Sequence, residues 1–307
     1  MSTLSGGAGL AVGVDIGGTK IAAGVVDSEG RVLTRRHLAT PVSDRQALVD
    51  AIIGLARDLA AEHPVEAVGI GVAGLVDRAG EMVRFAAHLP FRDEPLRSEV
   101  SSAIDLPVVV DNDANAGGWA EARFGAARGA RDALFVAVGT GIGGAIIVDG
   151  ALRRGWQGAS GEIGHLIVER DGRDCPCGSR GCWEQYASGR ALLRAAEEVG
   201  FDVPHGSAIT KAAEGGDERA CGVLRDIGGW LGVGIAGLVA VLDPEVVVVG
   251  GGVSAAGELV LQPTRDSFRT YLTAKDERPE PPVLLAALGP DAGLIGAAEL
   301  ARATLSR

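Results

Sequence analysis

The sequence predicts an α/β protein built from two related halves. Short apolar strands alternate with segments of helical periodicity, a pattern typical of a sheet covered by helices. A unit made of a strand, a glycine-rich turn and a returning strand occurs near the N-terminus and again about 125 residues later, well beyond the ~20–50-residue period of a solenoid. The chain has 307 residues, which suits two domains of about 150 residues each.

Composition and charge narrow the class of protein. The hydrophobic fraction of 47% excludes disorder of the whole chain, and the net charge of −11 argues against a nucleic-acid partner. Glycine accounts for 47 residues, about twice its usual ~7% share. Because these glycines interrupt apolar runs, we expect tight turns and close approaches of the backbone.

The sequence also predicts a cytoplasmic protein with no membrane partner. The two most apolar stretches, 134–148 and 227–242, are shorter than the ~20 residues of a spanning helix. The N-terminal residues lack the basic and apolar regions of an export signal. Three of the four cysteines lie close together, which in a reducing compartment indicates metal binding rather than a disulfide scaffold.

The predicted strands and helices alternate, and the pattern of strand, glycine turn and returning strand starts over near Arg131. Ser43 and Gln46 fit a capping box at the start of the first helix, and His63-Pro64 ends it. A second helix over 227–242 is expected to press against a sheet, and a C-terminal helix near 291–304 is expected to return to the first domain. The domains are therefore predicted as 1–115 with 291–307, and 116–290 with a cysteine-rich loop. Strands are expected at 10–16, 21–26, 32–37, 67–72 and 106–110, and then at 133–138, 145–148 and 246–249.

Three glycine-rich turns follow apolar strands. Backbone N–H groups in such turns can converge on an anion because no Cβ blocks the approach. None has the Walker A sequence or opens a helix as in a Rossmann fold, and any one alone is better explained as an ordinary hairpin. Together they predict a nucleotide site, with Asp15 holding a water on Mg2+ and Thr140 donating to a phosphate. The candidate residues are Asp15, Gly17, Gly18, Thr19 and Lys20, then Gly139, Thr140 and Gly141, and finally Gly250, Gly251 and Gly252.

Asp113 is the candidate general base. It follows the strand predicted at 106–110, where open α/β sheets place their ligands. Its carboxylate could accept the proton of a sugar hydroxyl that attacks phosphorus, and Asn112 could bind neighbouring hydroxyls through its amide. The alternative is that Asp111, Asn112 and Asp113 cap a helix that begins near Ala114. The spacing alone favours neither interpretation.

A zinc site is the strongest local prediction. His165, Cys175, Cys177 and Cys182 supply the one imidazole and three thiolates of a closed, structural tetrahedral site. The alternatives are a disulfide or unligated thiols, which a reducing compartment disfavours. Clamping this loop would fix the flanking Glu162 and Glu184 where they can accept hydrogen bonds from sugar hydroxyls. The alternative is that both carboxylates are simply solvated.

Four stretches carry a resemblance to a known family: VGVDIGGTK (12–20), GEIGH (161–165), CPCGSRGCWEQYASG (175–189) and VVVGGGVS (247–254). Together they resemble the ROK family of bacterial sugar kinases and repressors, in the actin/hexokinase-like superfamily, and within it the actinobacterial ATP-dependent glucokinases. The resemblance implies a duplicated, ribonuclease H-like two-domain fold with a central cleft. It also implies ATP- and Mg2+-dependent phosphorylation of glucose at O6, by a homodimer or homotetramer. Its implied site residues are Asp113 as general base, a backbone contact at Gly74, and Asn112, Glu162, His165 and Glu184 around the sugar.

One position departs from that pattern. The chain has Ala86-Ala87-His88-Leu89 where the family's glucokinases usually have Ala-Pro-Asn-Leu, and that asparagine lies near the sugar. Mannose, fructose or N-acetylmannosamine therefore stay open as substrates. Polyphosphate is a separate alternative as donor, and the resemblance favours ATP because polyphosphate-using relatives generally lack the cysteine cluster. A sugar-responsive repressor is disfavoured by the negative charge and by the short stretch before the first strand, which is too small for a helix-turn-helix. A non-catalytic sugar-binding protein is disfavoured by Asp113 together with the phosphate turns.

Overall fold

The computed structural model describes residues 9–305, which form two compact units. Unit 1 comprises the chain up to Phe124, the segment Arg154–Ser160 and the chain from Asp291. Unit 2 comprises Gly125–Arg153 and Gly161–Pro290. The polypeptide therefore leaves unit 2 after Arg153, contributes a short segment to unit 1, and re-enters unit 2 at Gly161.

Unit 1 is organised around a five-stranded sheet. The strands of unit 1 are β1 (Leu10–Ile16), β2 (Lys20–Val26), β3 (Val32–Ala39), β4 (Val65–Val72), β5 (Leu75–Val76), β6 (Val83–Phe85), β7 (Arg92–Glu94) and β8 (Val108–Asn112). The helices that precede residue 125 are α1 (Arg45–Glu62), α2 (Leu96–Ile104) and α3 (Asp113–Phe124). The main sheet has the order β3-β2-β1-β4-β8, and β5, β6 and β7 form a separate small sheet. β2 is antiparallel to β1 and β3, whereas β4 is parallel to β1 and β8.

Unit 2 repeats the topology of that sheet. Its strands are β9 (Ala133–Val138), β10 (Ile142–Val148), β11 (Ala151–Leu152), β12 (Val246–Gly250) and β13 (Val283–Leu285), and its helices α4 (Glu184–Ala187), α5 (Gly189–Glu198), α6 (Gly206–Glu214), α7 (Glu218–Leu242) and α8 (Glu258–Tyr271). The sheet order is β11-β10-β9-β12-β13, with antiparallel and parallel pairings in the same places. The predicted α/β class and its internal duplication are confirmed.

The C-terminal helix α9 (Ala292–Leu305) belongs to unit 1, where it packs against β1, β4 and α3. Glycines make this approach possible. A Cβ on Gly13 would overlap the backbone of Leu294, and one on Gly69 would overlap the backbone of Ala297. Part of the glycine excess therefore serves close helix–strand packing. The same contact of α9 with α3 explains why unit 1 extends to Phe124, past the predicted limit at residue 115.

Two local predictions need correction. Helix α1 is capped by Asp44, whose side chain accepts the N–H of Ala47 at 3.0 Å, so Ser43 and Gln46 do not form a capping box. Asp and Ser are equally good caps, and the sequence placed the start one residue too early. Helix α7 is longer than 227–242 and begins at Glu218.

Helix α7 lies in the interior of unit 2. Among residues 9–305 it is the one helix with the length and hydropathy to span a membrane. It packs mainly against α8 rather than the sheet, and a Cβ on Gly228 would lie 2.6 Å from the carbonyl oxygen of Val260. Leu224, Leu231 and Ile235 are fully buried, each stabilising the fold by about 1.5–3 kcal/mol. The apolar character of α7 is thus used in packing within its unit.

Candidate functional site

The carboxyl end of β8 brings the candidate base together with two predicted sugar contacts. Asn112, the last residue of β8, donates through Nδ2 to the carbonyl of Gly74 and to Asp113 Oδ1, both at 3.1 Å. Asn112 Oδ1 accepts the N–H of Asn115 at 3.0 Å. The capping interpretation therefore holds for Asn112. Asp113 is the first residue of α3, and Asn112 holds its carboxylate beside Gly74.

Two carboxylates of unit 1, Asp113 and Asp15, have raised pKa values. Burial raises the pKa of Asp113 above that of an ordinary aspartate. Burial and, next, the charge of Asp113 raise the pKa of Asp15 to about 7, against an opposing effect of Lys20. Since Asp15 and Asp113 repel each other, the pair suits a site that receives a proton or a divalent cation.

Sequence reasoning missed two residues that shape this site, Arg154 beside Asp111 and Gly293 beside Asp15. Asp111 is 3% exposed and receives the Arg154 guanidinium on Oδ2 at 2.7 Å. Its Oδ1 accepts the N–H of Asn112 at 2.8 Å and the Asn115 amide at 2.9 Å. A Cβ on Gly293, in the first turn of α9, would lie 2.5 Å from Asp15 Oδ2. No local pattern signals the contacts of Arg154 and Gly293, because each joins segments distant in the sequence.

The first glycine turn joins β1 to β2 in unit 1. Gly17 donates its N–H to the carbonyl of Lys20 at 3.0 Å, and Thr40 Oγ1 donates to the carbonyl of Gly17 at 2.7 Å. Gly18, Thr19 and Lys20 are exposed. A Cβ on Gly18 would lie 3.3 Å from the Cβ of His88, so the residue that departs from the family pattern lies beside this turn.

The second and third glycine turns meet in unit 2. Gly251 adopts φ +87° and would place a Cβ 2.5 Å from the carbonyl oxygen of Val138, directly before Gly139. Gly139 and Gly252 face open space, since no atom lies within 4 Å of a Cβ built on either. The turn between β9 and β10 contains Thr140 and Gly141 and is closed by an N–H of Gly139 on the Gly141 carbonyl at 3.0 Å. Gly250 ends β12 and packs against the Phe135 ring.

The four predicted metal ligands converge. The ligand atoms of His165, Cys175, Cys177 and Cys182 all lie within 4.8 Å of one another. His165 Nδ1 lies 3.7 Å from Cys175 Sγ, and the sulfurs of Cys177 and Cys182 are 3.7 Å apart. A tetrahedron with Zn–S bonds of ~2.3 Å has edges of about 3.8 Å, whereas a disulfide needs ~2.05 Å. The donor set and its spacing fit Zn2+.

The two flanking glutamates have different neighbours. Glu162 Oε2 lies 3.9 Å from His165 Nε2, whereas the other ring nitrogen, Nδ1, is the one near Cys175. Glu184 instead accepts the N–H of Ile142 at 3.0 Å, directly after the second glycine turn. Glu162 thus lies beside a predicted ligand in the metal loop, the segment 165–184 that contains all four predicted ligands. Glu184 contacts the turn in which the sequence predicts a phosphate site.

Comparisons with known proteins find relatives that match nearly the whole chain. The sequence matches the ROK family over residues 11–304. The glucokinase of Streptomyces coelicolor is 45% identical, covering 96% of this chain and 98% of that protein. The N-acetylmannosamine kinase of Escherichia coli is 37% identical, covering 94% and 97%. The crystal structure of a ROK family glucokinase from Streptomyces griseus in complex with glucose and AMPPNP has a TM-score of 0.88 at 48% identity, covering 96% of this chain and all of that one. The chain belongs to the ROK family.

Proposed function

We propose that the protein is a glucokinase that transfers the γ-phosphoryl group of ATP to O6 of glucose. The observation that carries the proposal is the Asn112–Asp113 pair at the end of β8, where Asn112 Nδ2 holds Asp113 Oδ1 at 3.1 Å. The pair lies in a chain 45% identical to a glucokinase over 96% of its length. A positioned carboxylate beside an amide is what a hydroxyl nucleophile needs.

Asp113 acts as the general base in this proposal. Its carboxylate takes the proton of the glucose O6 hydroxyl while O6 attacks the γ-phosphorus, the bond to the β-phosphate oxygen breaks, and ADP leaves. Burial raises the pKa of Asp113, which brings its basicity nearer to that needed at neutral pH. Asn112 fixes the carboxylate, and Gly74 offers a backbone contact to a neighbouring hydroxyl.

The glycine turns receive the nucleotide. We assign the phosphates to Gly17, Gly18, Thr19 and Lys20, and to Gly139, Thr140 and Gly141, with Gly250–Gly252 beside the nucleoside. Mg2+ neutralises charge that develops on the phosphoryl oxygens, and Asp15 is the residue that would hold it, through a water. The mutual repulsion of Asp15 and Asp113 supports a cation at this position.

The metal loop orients sugar ligands. His165 would bind zinc through Nδ1, the nitrogen facing Cys175, and present Nε2 to a hydroxyl beside Glu162. Zinc bound there would be structural, and it would fix the loop that carries His165 and Glu184. The remaining ligands are Cys175, Cys177 and Cys182.

A second candidate is a kinase for another hexose. His88 lies beside Gly18 where glucokinases of the family usually have asparagine, and a relative named N-acetylmannosamine kinase is 37% identical. A coupled assay with ATP or polyphosphate against glucose, mannose, fructose and N-acetylmannosamine separates the candidates. The proposal expects the highest kcat/KM for glucose with ATP, and a preference for any other pair would replace it.

We further infer a cytoplasmic location and a homodimeric or homotetrameric state, both from the resemblance to sugar kinases of this family. Sedimentation of the purified protein tests the assembly, and a monomer at micromolar concentration would contradict it.

A further inference from the structure

We propose that Glu184 is a positioning residue for the glycine turn Gly139–Gly141, and that it couples this turn to the metal loop. The inference deepens the proposed function and rests on it where it concerns nucleotide binding. The resemblance assigns Glu184 to the sugar only. The contacts of Glu184 also give it a structural role at the turn Gly139–Gly141.

The carboxylate of Glu184 fills the space beside that turn. Glu184 Oε2 accepts the N–H of Ile142 at 3.0 Å, and the side chain is only 12% exposed. A Cβ on Gly141 would lie 2.9 Å from Glu184 Cδ and still closer to Oε2, and the nearest atoms it would meet all belong to Glu184. Gly141 is therefore a glycine because the carboxylate occupies its side-chain position.

The residues that follow Glu184 support the same turn. Gly189 donates its N–H to the carbonyl of Gly139 at 2.8 Å, and Arg190 donates to that of Thr140 at 3.4 Å. With the bond from Ile142 to Glu184, the segment 184–190 contacts the beginning, middle and end of the turn. The conformation of the turn thus depends on where the segment 184–190 is held.

The metal loop holds that segment at its start. Cys182, a metal ligand, pairs with Ile167 across an antiparallel bridge, and Trp183 donates its N–H to the carbonyl of Leu166 at 2.8 Å. Trp183 is fully buried and donates through Nε1 to the carbonyl of Trp230 at 2.7 Å. Glu184 comes next in the chain, so the path from the metal ligand to the turn is two residues long.

A carboxylate offers about four acceptor positions, so Glu184 can receive Ile142 and a sugar hydroxyl together. Under the proposed function, one side chain then contacts the sugar and shapes the turn that receives phosphate. Sugar binding and nucleotide binding are expected to be coupled through Glu184. This coupling is reciprocal, as binding linkage requires.

The test compares Glu184→Ala, Glu184→Gln and the control Glu197→Ala, an exposed glutamate on α5. Hydrogen exchange at the Ile142 amide and the Kd for AMPPNP are measured without sugar. A hydrogen bond to a charged acceptor corresponds to roughly a 10- to 100-fold effect. In Glu184→Ala we therefore expect Ile142 to exchange at least tenfold faster and AMPPNP to bind about tenfold more weakly. Glu184→Gln keeps a neutral acceptor for Ile142, so both values should change clearly less than in Glu184→Ala, while the KM for glucose rises.

A double-mutant cycle adds a second readout. Gly141→Ala should lower the Tm in the wild-type background, and much less in the Glu184→Ala background, where the colliding carboxylate is gone. Removing the metal with a chelator should also speed exchange at Ile142.

The proposal is overturned if Ile142 exchange and AMPPNP affinity are the same in Glu184→Ala and wild type, or if the Gly141→Ala penalty is equal in both backgrounds. If the wild type binds no AMPPNP, the proposed function fails, while exchange at Ile142 and the cycle still decide the role of Glu184.

Discussion

Replacing Asp15 by asparagine is predicted to stabilise the protein while impairing its chemistry. Asp15 has a folded-state pKa of about 7 against an ordinary value of 3.8, because it is buried and lies near Asp113. The folded protein therefore keeps this proton up to about pH 7, whereas the unfolded chain releases it near pH 4. Between these values the folded state binds more protons, so its stability falls as pH rises.

The size of the effect follows from the two pKa values. One pKa unit corresponds to about 1.4 kcal/mol, so the difference between 3.8 and about 7 gives an upper bound of about 4 kcal/mol at pH 8. At pH 5 the same linkage leaves less than about 2 kcal/mol. Asp15→Asn should therefore raise the free energy of unfolding by about 2–4 kcal/mol at pH 8, and by clearly less at pH 5.

The assay is unfolding of wild type and Asp15→Asn at both pH values, without added Mg2+ or nucleotide. Asp27→Asn is the matched control, at the residue directly after the adjacent strand β2. Burial alone would raise the pKa of Asp27, but hydrogen bonds from Arg31 and Glu29 lower it. Asp27→Asn should therefore destabilise the folded protein at pH 8. An Asp15→Asn variant no more stable than wild type at pH 8, or a gain that does not shrink at pH 5, would refute the reasoning.

Three further predictions concern the same machinery. Arg154→Gln leaves the buried carboxylate of Asp111 without its 2.7 Å partner, so the free energy of unfolding should fall by about 2–4 kcal/mol in a denaturant titration. The control Arg153→Gln breaks only an exposed pair with Asp149 and should cost less than about 1 kcal/mol. Equal costs for the two variants would contradict the pairing of Arg154 with Asp111. Because burial raises the pKa of Asp113, kcat/KM should fall on acidification at a higher pH than for an ordinary aspartate, and a profile flat down to pH 4 would exclude Asp113 as the base. Elemental analysis should find about one zinc per chain, lost in Cys177→Ser together with thermal stability; a metal-free protein of unchanged Tm would show that the site is not structural.

The sequence predicts the fold and the site well where the residues concerned lie close together in the chain. The first turn lies between β1 and β2 as expected, and β1 spans the predicted Leu10–Ile16. The four metal ligands converge because their spacing already restricts them to one loop. The repeated strand–turn–strand unit predicted the duplication, which the identical order of the two sheets confirms.

The sequence was uninformative where tertiary contacts decide a residue's task. Arg154 pairs with Asp111 across 43 positions, and Gly293 leaves room for Asp15 from the far end of the chain. Neither residue has a local signature, since an arginine or a glycine occurs in many settings. Glu184 was assigned to the sugar from its position beside Cys182, and only its bond to Ile142 shows the additional contact with the turn.

The central claim is that Asp113 removes the proton from the sugar hydroxyl that attacks ATP. The most direct measurement compares wild type and Asp113→Asn in turnover with glucose and ATP, alongside separate binding of glucose and AMPPNP. Because asparagine keeps the size of the side chain but cannot accept the proton, kcat should fall by about 10²-fold or more while both ligands still bind. Turnover within a few fold of wild type in Asp113→Asn would contradict the account.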